Sequence, residues 1–368
     1  MTKLLHVIHD FLNGGIESFL FYLSQEQLTN KNLEVTILCL QEEHKITNPR
    51  IKSLPLKIIY IPIPPFGKSF KRYREFLRTI NDYDIVHWHT FKPNLAFLSR
   101  FSNTKHVYTV HSAGTLLRQK STYRDFKAYL FKKFLNQTID GIASNSIYTQ
   151  NFWKEKGVKT KNNRVIYNGV YFNNRYNKEN VYQDFPHLRG KFIIGTTSRL
   201  ISWKRVDILI KAFSGLTNSD SNTVLLIVGD GPEKEKLQAL TKALKIQDQV
   251  TFTGYKSNVT DYQDAMDICV FASASEPFGL VAVECLHLGK PVLVMEDGGG
   301  LVEIIEKVDH RNIANSESEL TSLLEKFTNN KDRDREEFNQ RKTVAKSFSI
   351  TNCEKNYWEL YCSIVKYK

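Results

Sequence analysis

Short apolar runs alternate with longer amphipathic segments along nearly the whole chain. The runs that read as strands lie at 4–8, 34–40, 57–61, 84–88, 106–110 and 139–144, then at 192–197, 223–228, 249–253, 268–271 and 291–295. Segments with helical spacing fill most of the gaps, including 17–29, 123–136, 205–213, 234–244 and 281–288. This alternation predicts an α/β protein with two doubly wound parallel sheets, each covered by helices on both faces.

A polar stretch separates the two halves of this pattern. Residues 173–189 are rich in Asn and Gln and include Pro186. We therefore expect an N-terminal Rossmann-like domain over 1–170, a linker over 171–190 and a C-terminal Rossmann-like domain over 191–347. Because ligands of such sheets bind at the carboxyl ends of the strands, we expect them in a cleft between the domains.

Composition narrows the class of protein. Of 368 residues, 41% are hydrophobic and 12% aromatic, which is typical of a folded chain. No apolar run approaches the roughly 18 residues of a membrane span, and the first residues read as a strand without a signal-peptide pattern. The 5 cysteines show no CxxC spacing, so we expect neither a disulfide framework nor a zinc site, which favours a cytoplasmic location.

The positive charge is concentrated in the first half. Residues 1–170 hold 25 Lys and Arg against 12 Asp and Glu, whereas residues 171–368 hold 26 against 27. The net charge of +12 therefore belongs to the N-terminal domain. Such a domain attracts an anionic partner, whether a membrane, a nucleic acid or a phosphorylated substrate. No nucleic-acid recognition motif is present, so we expect no nucleic-acid partner.

Two carboxylates follow the predicted strand 268–271. Glu276 precedes a Pro and a Gly, and Glu284 lies eight positions later in an apolar segment that reads as a helix. A helix that begins near Pro277 places both carboxylates on roughly the same side. The free amides of its first turn favour a phosphate, and carboxylates beside a phosphate suit sugar or ribose hydroxyls. In isolation, this spacing also fits two unrelated solvated Glu residues.

Two cations and a glycine turn follow the first two predicted strands of the C-terminal domain. Arg199 and Lys204 come directly after strand 192–197, where together they can neutralise a diphosphate. Gly229 and Gly231 follow strand 223–228 and suit a tight turn that lines a nucleotide. Neither a full G-x-G-x-x-G fingerprint nor a P-loop occurs in the chain.

Further glycine turns follow the first strand of the first half and the last strand of the second half. Gly14, Gly15 and Glu17 lie between a strand and a helix, where backbone amides can approach a phosphate or an acceptor. The glycine triplet 298–300, which contains Gly299, offers the same geometry before another helix. A plain structural turn is the alternative at each place.

Histidines cluster in the N-terminal domain. His87 and His89 lie two positions apart at a strand end and share a face, but no carboxylate follows nearby, so we expect no metal site. His111 ends the run 107–110 and is expected at the ligand edge of its sheet. It is therefore a candidate substrate contact, with a structural role as the alternative.

Together these motifs resemble the family-four retaining glycosyltransferases, which have the GT-B fold of two Rossmann-like domains. The resemblance covers most of the chain and rests on the order and spacing of its motifs. These are Gly14-Gly15-Ile16-Glu17, His111, Asn168-Gly169-Val170, Arg199 with Lys204, Gly229-Asp230-Gly231-Pro232, Glu276 with Glu284, and Gly298-Gly299 with Glu303. The end of the chain, 348–368, resembles the family's final helix, which crosses back onto the first domain.

The resemblance implies a role for each matching residue. Arg199 and Lys204 hold the donor diphosphate, and Glu284 binds the ribose hydroxyls. Glu276 contacts the hydroxyls of the donor sugar, beside the backbone amides of three residues that follow it: Phe278, Gly279 and Leu280.

In the N-terminal domain the resemblance implies that Gly15 approaches the phosphate or the acceptor, and that His111 lies beside the donor sugar.

The chain departs from the family's pattern at Ser112, at Arg205, where Gly is frequent, and at Tyr171. Arg205 leaves the shape of the diphosphate loop open.

The resemblance also implies retention at the anomeric carbon, no required metal and no cofactor beyond the nucleotide-sugar substrate. Attack from the leaving-group side is expected, with the diphosphate taking the proton of the acceptor hydroxyl. A double displacement needs a carboxylate nucleophile, for which Glu276 and Glu17 are the candidates.

The basic segments 66–78 and 118–133 mix Lys and Arg with aromatic residues, a pattern that suits an anionic membrane surface. We therefore expect a peripheral enzyme on the inner face of the cell membrane with a lipid-linked saccharide acceptor. The family favours a UDP-hexose donor and bacterial capsule, O-antigen or exopolysaccharide synthesis. A nucleotide-sugar epimerase of the same architecture and a non-catalytic nucleotide-sugar-binding subunit remain the alternatives.

Overall fold

The computed structural model of the protein describes residues 1–11, 14–46, 48–63, 69–90, 92–112, 122–160, 162–172, 174–216, 222–329 and 334–365. The chain divides into two compact units. The N-terminal unit comprises Met1–Tyr171 and Ile350–Lys368, and the C-terminal unit comprises Phe172–Ser349. Among the described helices, none combines the length and the hydropathy that crossing a bilayer requires.

The N-terminal unit is built on a parallel sheet of seven strands in the order β3-β2-β1-β4-β5-β6-β7. The strands are β1 (Thr2–Ile8), β2 (Leu33–Cys39), β3 (Lys57–Tyr60), β4 (Ile85–Trp88), β5 (Lys105–Val110), β6 (Gly141–Ser144) and β7 (Asn162–Val165). The central strands are buried along nearly their whole length, as parallel strands covered on both faces must be. The hydrophobic pattern does not predict β7, because three of its four residues are polar.

Helices cover both faces of this sheet. Among the described residues before 172 they are, in chain order, α1 (Gly15–Gln27), α2 (Phe70–Asn81), α3 (Pro93–Ser99), α4 (Thr122–Thr138) and α5 (Ile147–Glu155). One apolar cluster joins α2, α3 and α4 to the sheet through side chains such as Phe76, Leu95 and Leu135. A second cluster joins α1 to the opposite face through Phe19 and Leu23. The predicted doubly wound architecture is therefore confirmed for this unit.

The C-terminal unit has a six-stranded parallel sheet in the order β10-β9-β8-β11-β12-β13. The strands are β8 (Phe192–Thr197), β9 (Thr223–Val228), β10 (Val250–Gly254), β11 (Ile268–Phe271), β12 (Val292–Met295) and β13 (Ile313–Ala314). The sequence pattern predicts the first five of these strands. It does not predict β13, which is only 2 residues long and pairs with the end of β12.

Eight helices of the C-terminal unit lie within the described residues. They are α6 (Glu179–Asp184), α7 (Val206–Leu216), α8 (Lys234–Ala243), α9 (Val259–Ala265), α10 (Leu280–His287), α11 (Gly300–Glu306), α12 (Glu317–Asn329) and α13 (Asp334–Ser347). The core between β8, β9 and β11 and their covering helices is formed by residues such as Ile194, Phe213 and Leu225.

The segment predicted as a linker differs from the expectation. It contains α6 and belongs to the C-terminal unit from Phe172 onward. Val181 and Leu188 are fully buried, and Asp261 accepts hydrogen bonds from the backbone of Asn177 and the side chain of Asn180. Polar groups of this segment thus contact α9, although most of its described residues are exposed.

The last helix, α14 (Ile350–Ile364), belongs to the N-terminal unit, where it packs against α1 and β7. Its first residue donates a backbone hydrogen bond from Ile350 to the Val170 carbonyl, 3.0 Å away. A side chain at Gly169 would place its Cβ 2.6 Å from Cα of Ile350. Gly169 therefore lets the start of the returning helix approach the backbone closely.

Candidate functional site

Four loops of the C-terminal unit meet at the carboxyl edge of its sheet, because β8, β9, β11 and β12 run parallel. The loop after β8 carries Arg199, whose side chain is exposed. Among the described residues no hydrogen-bond or ion-pair partner of its guanidinium is found. An unpaired guanidinium at this edge is available to an anionic ligand.

The turn after β9 supports the loop that carries Arg199. Gly229 has φ 140° and donates a backbone hydrogen bond to the Gly254 carbonyl at 3.0 Å. A Cβ at Gly229 would collide with the Ser198 carbonyl, and a Cβ at Gly231 would collide with the Leu200 carbonyl. Both glycines are needed because the two loops pass each other at backbone distance.

Lys204 and Glu276 form an ion pair between the loops after β8 and β11. The Lys204 Nζ atom lies 2.6 Å from Oε2 of Glu276, and both side chains are only 15% exposed. The same ammonium lies 4.3 Å from the ring centroid of Trp203. Packing against an aromatic face and a carboxylate holds the ammonium in one place, beside the exposed Arg199 loop.

Backbone hydrogen bonds hold the Glu276 loop on both sides. Ala274 donates to the Trp203 carbonyl at 3.0 Å, and Ser275 donates to the Asp297 carbonyl at 2.8 Å. The backbone N–H of Glu276 donates to the Gly298 carbonyl at 3.1 Å, and its carbonyl accepts from the N–H of Gly300 at 2.7 Å. Ser275 has φ 54°, a left-handed conformation that a serine adopts only at a cost. The loop is thus fixed between the loops after β8 and β12.

The conformation and contacts of Arg205 fix the shape of the loop after β8, which the sequence alone did not predict. It has φ 48°, so it adopts the left-handed conformation that favours glycine. Its guanidinium forms a forked ion pair with Asp297, and Nε donates to the Ala272 carbonyl at 2.7 Å. These contacts offset the backbone cost of about 1–2 kcal/mol, so the tight turn is retained without a glycine.

Glu284 lies one helical turn into α10, partly buried beside Gln263 of α9. Gln263 Nε2 donates to Oε2 of Glu284 at 3.1 Å and to Oγ1 of Thr197 at 3.3 Å. Burial raises the pKa of Glu284, and the hydrogen bond from Gln263 opposes that shift. Sequence reasoning missed Gln263, since one polar residue in an amphipathic helix carries no signal.

The N-terminus of α10 lies directly after Glu276 in the chain. Gly279 caps the helix with φ 107°, and a Cβ there would collide with Leu301 of α11. Phe278 is buried, with its ring 5.7 Å from that of Phe348, so its side chain packs inside the unit. Leu280 is the first helical residue, and Gly299 caps α11 with φ 66°.

The glycine turn of the N-terminal unit leaves open space. Gly14 caps α1, and the Glu17 carboxylate folds back over it. Burial is the main cause that raises the pKa of Glu17, and Asp10 adds to the shift. By contrast, a Cβ built at Gly15 would meet nothing within 4 Å. Gly15 is therefore not required by the packing of its own unit, and at Gly14 only the flexible end of the Glu17 side chain would have to move.

His111 is joined to the buried histidines of the same unit. Its Nε2 lies 3.0 Å from Nδ1 of His89, and Phe19 packs edge-on against its ring. Three histidines, His6, His87 and His89, bring ring nitrogens within 4.8 Å of one another. Every ring nitrogen of these three histidines already has a hydrogen-bond partner, so none of the six is free to ligate a metal in this arrangement.

The basic segment 66–78 is described from residue 69 onward, and 118–133 is described from residue 122 as part of α4. Helix α2 turns Tyr73, Phe76 and Ile80 into the core of its unit. Phe70 at its start is 83% exposed. The basic residues of α2 all face solvent: Lys71, Arg72, Arg74 and Arg78.

The structure thus forms two groups from the residues predicted by sequence. Arg199, Lys204, Glu276, Glu284 and the turns around them surround one edge of the C-terminal sheet. The glycine turn and His111 follow β1 and β5 of the N-terminal sheet. Sequence reasoning missed the residues that hold these groups in place: Trp203, Gln263, Asp297, His6 and Gln27.

Two family models match the chain. Glycosyltransferase family 4 matches residues 13–173, and glycosyl transferases group 1 matches residues 177–344. The chain is 28% identical over 267 residues, 64% of its length, to an alpha-monoglucosyldiacylglycerol synthase of Streptococcus pneumoniae, of which the alignment covers 59%. It is 27% identical over 341 residues, 90% of each chain, to an uncharacterized glycosyltransferase of Methanocaldococcus jannaschii.

Among solved structures, HepE of Anabaena in complex with UDP superposes with a TM-score of 0.81 at 20% sequence identity. The superposition covers 99% of this chain and 100% of HepE. The likeness therefore extends over both units of the fold.

Proposed function

Because this chain belongs to the group 1 glycosyltransferases of family 4, we propose that it transfers a hexose from a UDP-sugar to a lipid-linked saccharide, with retention at the anomeric carbon. Its two parallel-sheet units have the α/β GT-B fold. The observation that carries the proposal is the unpaired, exposed Arg199 beside the Lys204–Glu276 ion pair. HepE, which shares the fold, has been solved with UDP and with UDP-glucose, which favours a UDP-sugar donor.

In the proposed reaction Arg199 and Lys204 stabilise the diphosphate leaving group, and no metal ion is required. A guanidinium fork and a fixed ammonium provide two positive charges where negative charge develops on the leaving oxygen. Lys204 is already oriented by Glu276 at 2.6 Å, so little reorganisation is needed when a phosphate arrives. The amides at the N-terminus of α10 add partial positive charge at the same edge.

The remaining residues position the nucleotide and the sugar in this proposal. Glu284 accepts hydrogen bonds from the ribose hydroxyls while Gln263 holds one of its oxygens. Glu276, with the amides near Gly279, binds the hydroxyls of the transferred sugar. His111 contacts the sugar through the ring nitrogen that does not face His89.

We propose attack from the leaving-group side rather than a double displacement. Both candidate nucleophiles are poorly suited to attack. The ion pair with Lys204 at 2.6 Å lowers the nucleophilicity of the Glu276 carboxylate. The Glu17 carboxylate folds over Gly14 of its own turn. The leaving diphosphate is then the base that accepts the proton of the acceptor hydroxyl.

Arg199→Ala tests the diphosphate assignment. We expect kcat/KM for a UDP-sugar to fall by about 10²-fold or more, because a charge donor to the transition state is lost. The melting temperature should not change, since no partner of the guanidinium was found among the described residues. Lys326→Ala, which removes an exposed cation of α12 remote in sequence from these loops, is the control.

Lys204→Ala should lower turnover similarly, with some loss of stability because Glu276 loses its partner. Full turnover in both variants would refute the assignment.

A thermal-shift panel of UDP-, GDP- and ADP-sugars identifies the nucleotide, since a ligand of the native state raises the melting temperature. UDP release that requires an added acceptor distinguishes a transferase from an epimerase or a binding subunit.

The lipid-linked acceptor and the membrane location rest on charge and on relatives. The exposed basic face of α2 and Phe70 at its start suit contact with anionic headgroups. The Streptococcus pneumoniae relative is named for a glucosylated diacylglycerol. We propose that the protein works at the inner face of a bacterial membrane, in capsule, O-antigen or exopolysaccharide synthesis.

Charge reversal on α2 tests membrane binding. The double variant Lys71→Glu with Arg74→Glu should reduce sedimentation with anionic liposomes, since each basic residue near the surface contributes about 1 kcal/mol. Lys236→Glu with Lys242→Glu, exposed on α8 of the other unit, gives the same change in net charge and should not reduce it. Binding of the wild type that is absent or insensitive to salt would argue for a soluble acceptor.

A further inference from the structure

A chain of hydrogen bonds runs from His111 into the core of the N-terminal unit. Nε2 of His111 lies 3.0 Å from Nδ1 of His89. Nε2 of His89 lies 2.9 Å from Nδ1 of His6, and Nε2 of His6 lies 2.7 Å from Oε1 of Gln27. His6, His89 and Gln27 are buried, so no water is needed to complete the chain.

A second branch of hydrogen bonds starts at the amide nitrogen of Gln27. Nε2 of Gln27 donates to the Tyr361 hydroxyl at 3.5 Å, and that hydroxyl lies 2.7 Å from Nδ1 of His87. Nε2 of His87 then reaches Oγ1 of Thr109 at 2.6 Å. Tyr361 lies on α14, so the C-terminal helix contributes to the arrangement of the histidines.

The direction of each bond follows from the orientation of the Gln27 amide, whose Oε1 faces His6 and whose Nε2 faces Tyr361. A neutral imidazole has one N–H donor and one acceptor nitrogen, so a ring that donates through one nitrogen must accept through the other. The Gln27 carbonyl can only accept, so His6 donates through Nε2 and must accept through Nδ1. His89 then donates to His6 through Nε2 and accepts through Nδ1 from His111.

We propose that Gln27, His6 and His89 are positioning residues that hold His111 as the tautomer protonated on Nε2, with Nδ1 as a hydrogen-bond acceptor for a substrate hydroxyl. The identity of the hydroxyl rests on the proposed function, whereas the tautomer does not. No partner for Nδ1 of His111 is found among the residues that the structure describes.

The surroundings keep these rings neutral, as the directed chain requires. Burial lowers the pKa of His6 to about 4 and that of His111 to about 3. The pKa of His89 lies well below its ordinary value, because of burial first and then of the neighbouring imidazoles. Phe19 packs against His89 and His111, with ring centroids 6.2 Å and 5.5 Å away. At neutral pH each ring is therefore expected to carry a single N–H.

Nitrogen NMR of the full chain with ¹⁵N-labelled histidine tests the tautomer directly. Comparison with His111→Asn assigns the His111 resonances, and couplings to the ring protons distinguish Nδ1 from Nε2. We expect a protonated Nε2 and an unprotonated Nδ1 at pH 7. A protonated Nδ1 in the wild-type protein would overturn the proposal.

Gln27→Met removes the acceptor that sets the direction while nearly preserving the volume of the side chain. We expect a mixture of both His111 tautomers in this variant. His106→Gln is the control, because His106 is equally buried in the same unit but hydrogen-bonds Trp88 and Thr104 outside the chain. It should leave the His111 tautomer unchanged. A single unchanged tautomer in Gln27→Met would also overturn the proposal.

Kinetics of His89→Leu separate positioning from a purely structural role. We expect kcat to fall about 10-fold or more while the UDP affinity stays within about 2-fold, because loss of an orienting partner impairs an imidazole that positions the transferred sugar more than it impairs nucleotide binding. Wild-type kcat in His89→Leu would count against the role. If the wild-type protein transfers no hexose from any UDP-sugar, the proposed function fails, but the NMR result still decides the tautomer.

Discussion

At the scale of single residues, the position of Glu284 suits ligand binding but conflicts with the stability of the fold. Its carboxylate lies partly buried beside Gln263, and that burial raises its pKa above the value of a free Glu. A carboxyl whose pKa rises on folding disfavours the folded state once it is ionised. The residue therefore costs stability at neutral pH, which fits a side chain retained for a ligand rather than for packing.

Glu284→Gln should make this conflict measurable. The neutral amide can still accept from Gln263, so we expect the melting temperature without ligand to rise by about 2 °C. The stabilisation by UDP should disappear, because the amide binds two ribose hydroxyls poorly. Glu306→Gln, at an exposed position of α11, is the control and should change neither quantity. A lower melting temperature together with intact stabilisation by UDP would contradict this role of Glu284.

At the scale of elements, the turn after β9 fixes the loop after β8. Gly229 lies so close to the Ser198 carbonyl that no side chain fits between the two loops. The conformation of the Arg199 loop therefore depends on a glycine that is distant in sequence. Adjacent parallel strands bring these turns together, as the pairing of β8 with β9 shows.

Gly229→Ala and Gly190→Ala separate close approach from backbone conformation. Both glycines have positive φ, 140° and 77°, but only Gly229 has a backbone neighbour that a Cβ would meet. Gly190→Ala should cost about 1–2 kcal/mol of stability and leave the UDP affinity unchanged. Gly229→Ala should cost more and weaken UDP binding about 10-fold, by isothermal calorimetry. Equal UDP affinities in the two variants would show that the loops do not depend on each other.

At the scale of the whole molecule, the buried histidines make the N-terminal unit sensitive to acid. His6 and His106 have pKa values lowered to about 4, mainly by burial. The unfolded chain binds protons at its histidines below about pH 6.5, whereas the folded unit does not until about pH 4. The stability that depends on these histidines is therefore fully present above about pH 6.5 and is lost as the pH falls toward 4.

His106→Gln should reduce the steepness of this loss by about 1.4 kcal/mol per pH unit, the contribution of one proton. Chemical unfolding between pH 7 and 4 measures it. In a Trp203→Phe background the remaining tryptophans, Trp88, Trp153 and Trp358, all report on the N-terminal unit. The same slope with and without His106 would mean that other groups cause the sensitivity to acid.

The sequence predicted the fold better than it predicted the contacts within the site. The alternation of apolar strands and amphipathic helices predicts both sheets, since parallel strands buried on two faces must be apolar. It fails at β7, which is polar, at β13, which is too short, and over 171–190, where Asn and Asp side chains pair with α9. In these segments the contacts with neighbouring elements, rather than hydrophobicity, determine the structure.

For the site, the sequence by itself determined which residue types follow which strands: Arg199, Glu276 and the glycine turns. Only the tertiary structure decided the pairs, because hydrophobic periodicity is local whereas these contacts depend on strand order. Lys204 meets Glu276 across 72 positions, and His6 meets His89 across 83. The direction of the histidine chain is likewise set by Gln27 in the folded core, where one carbonyl orients three imidazoles.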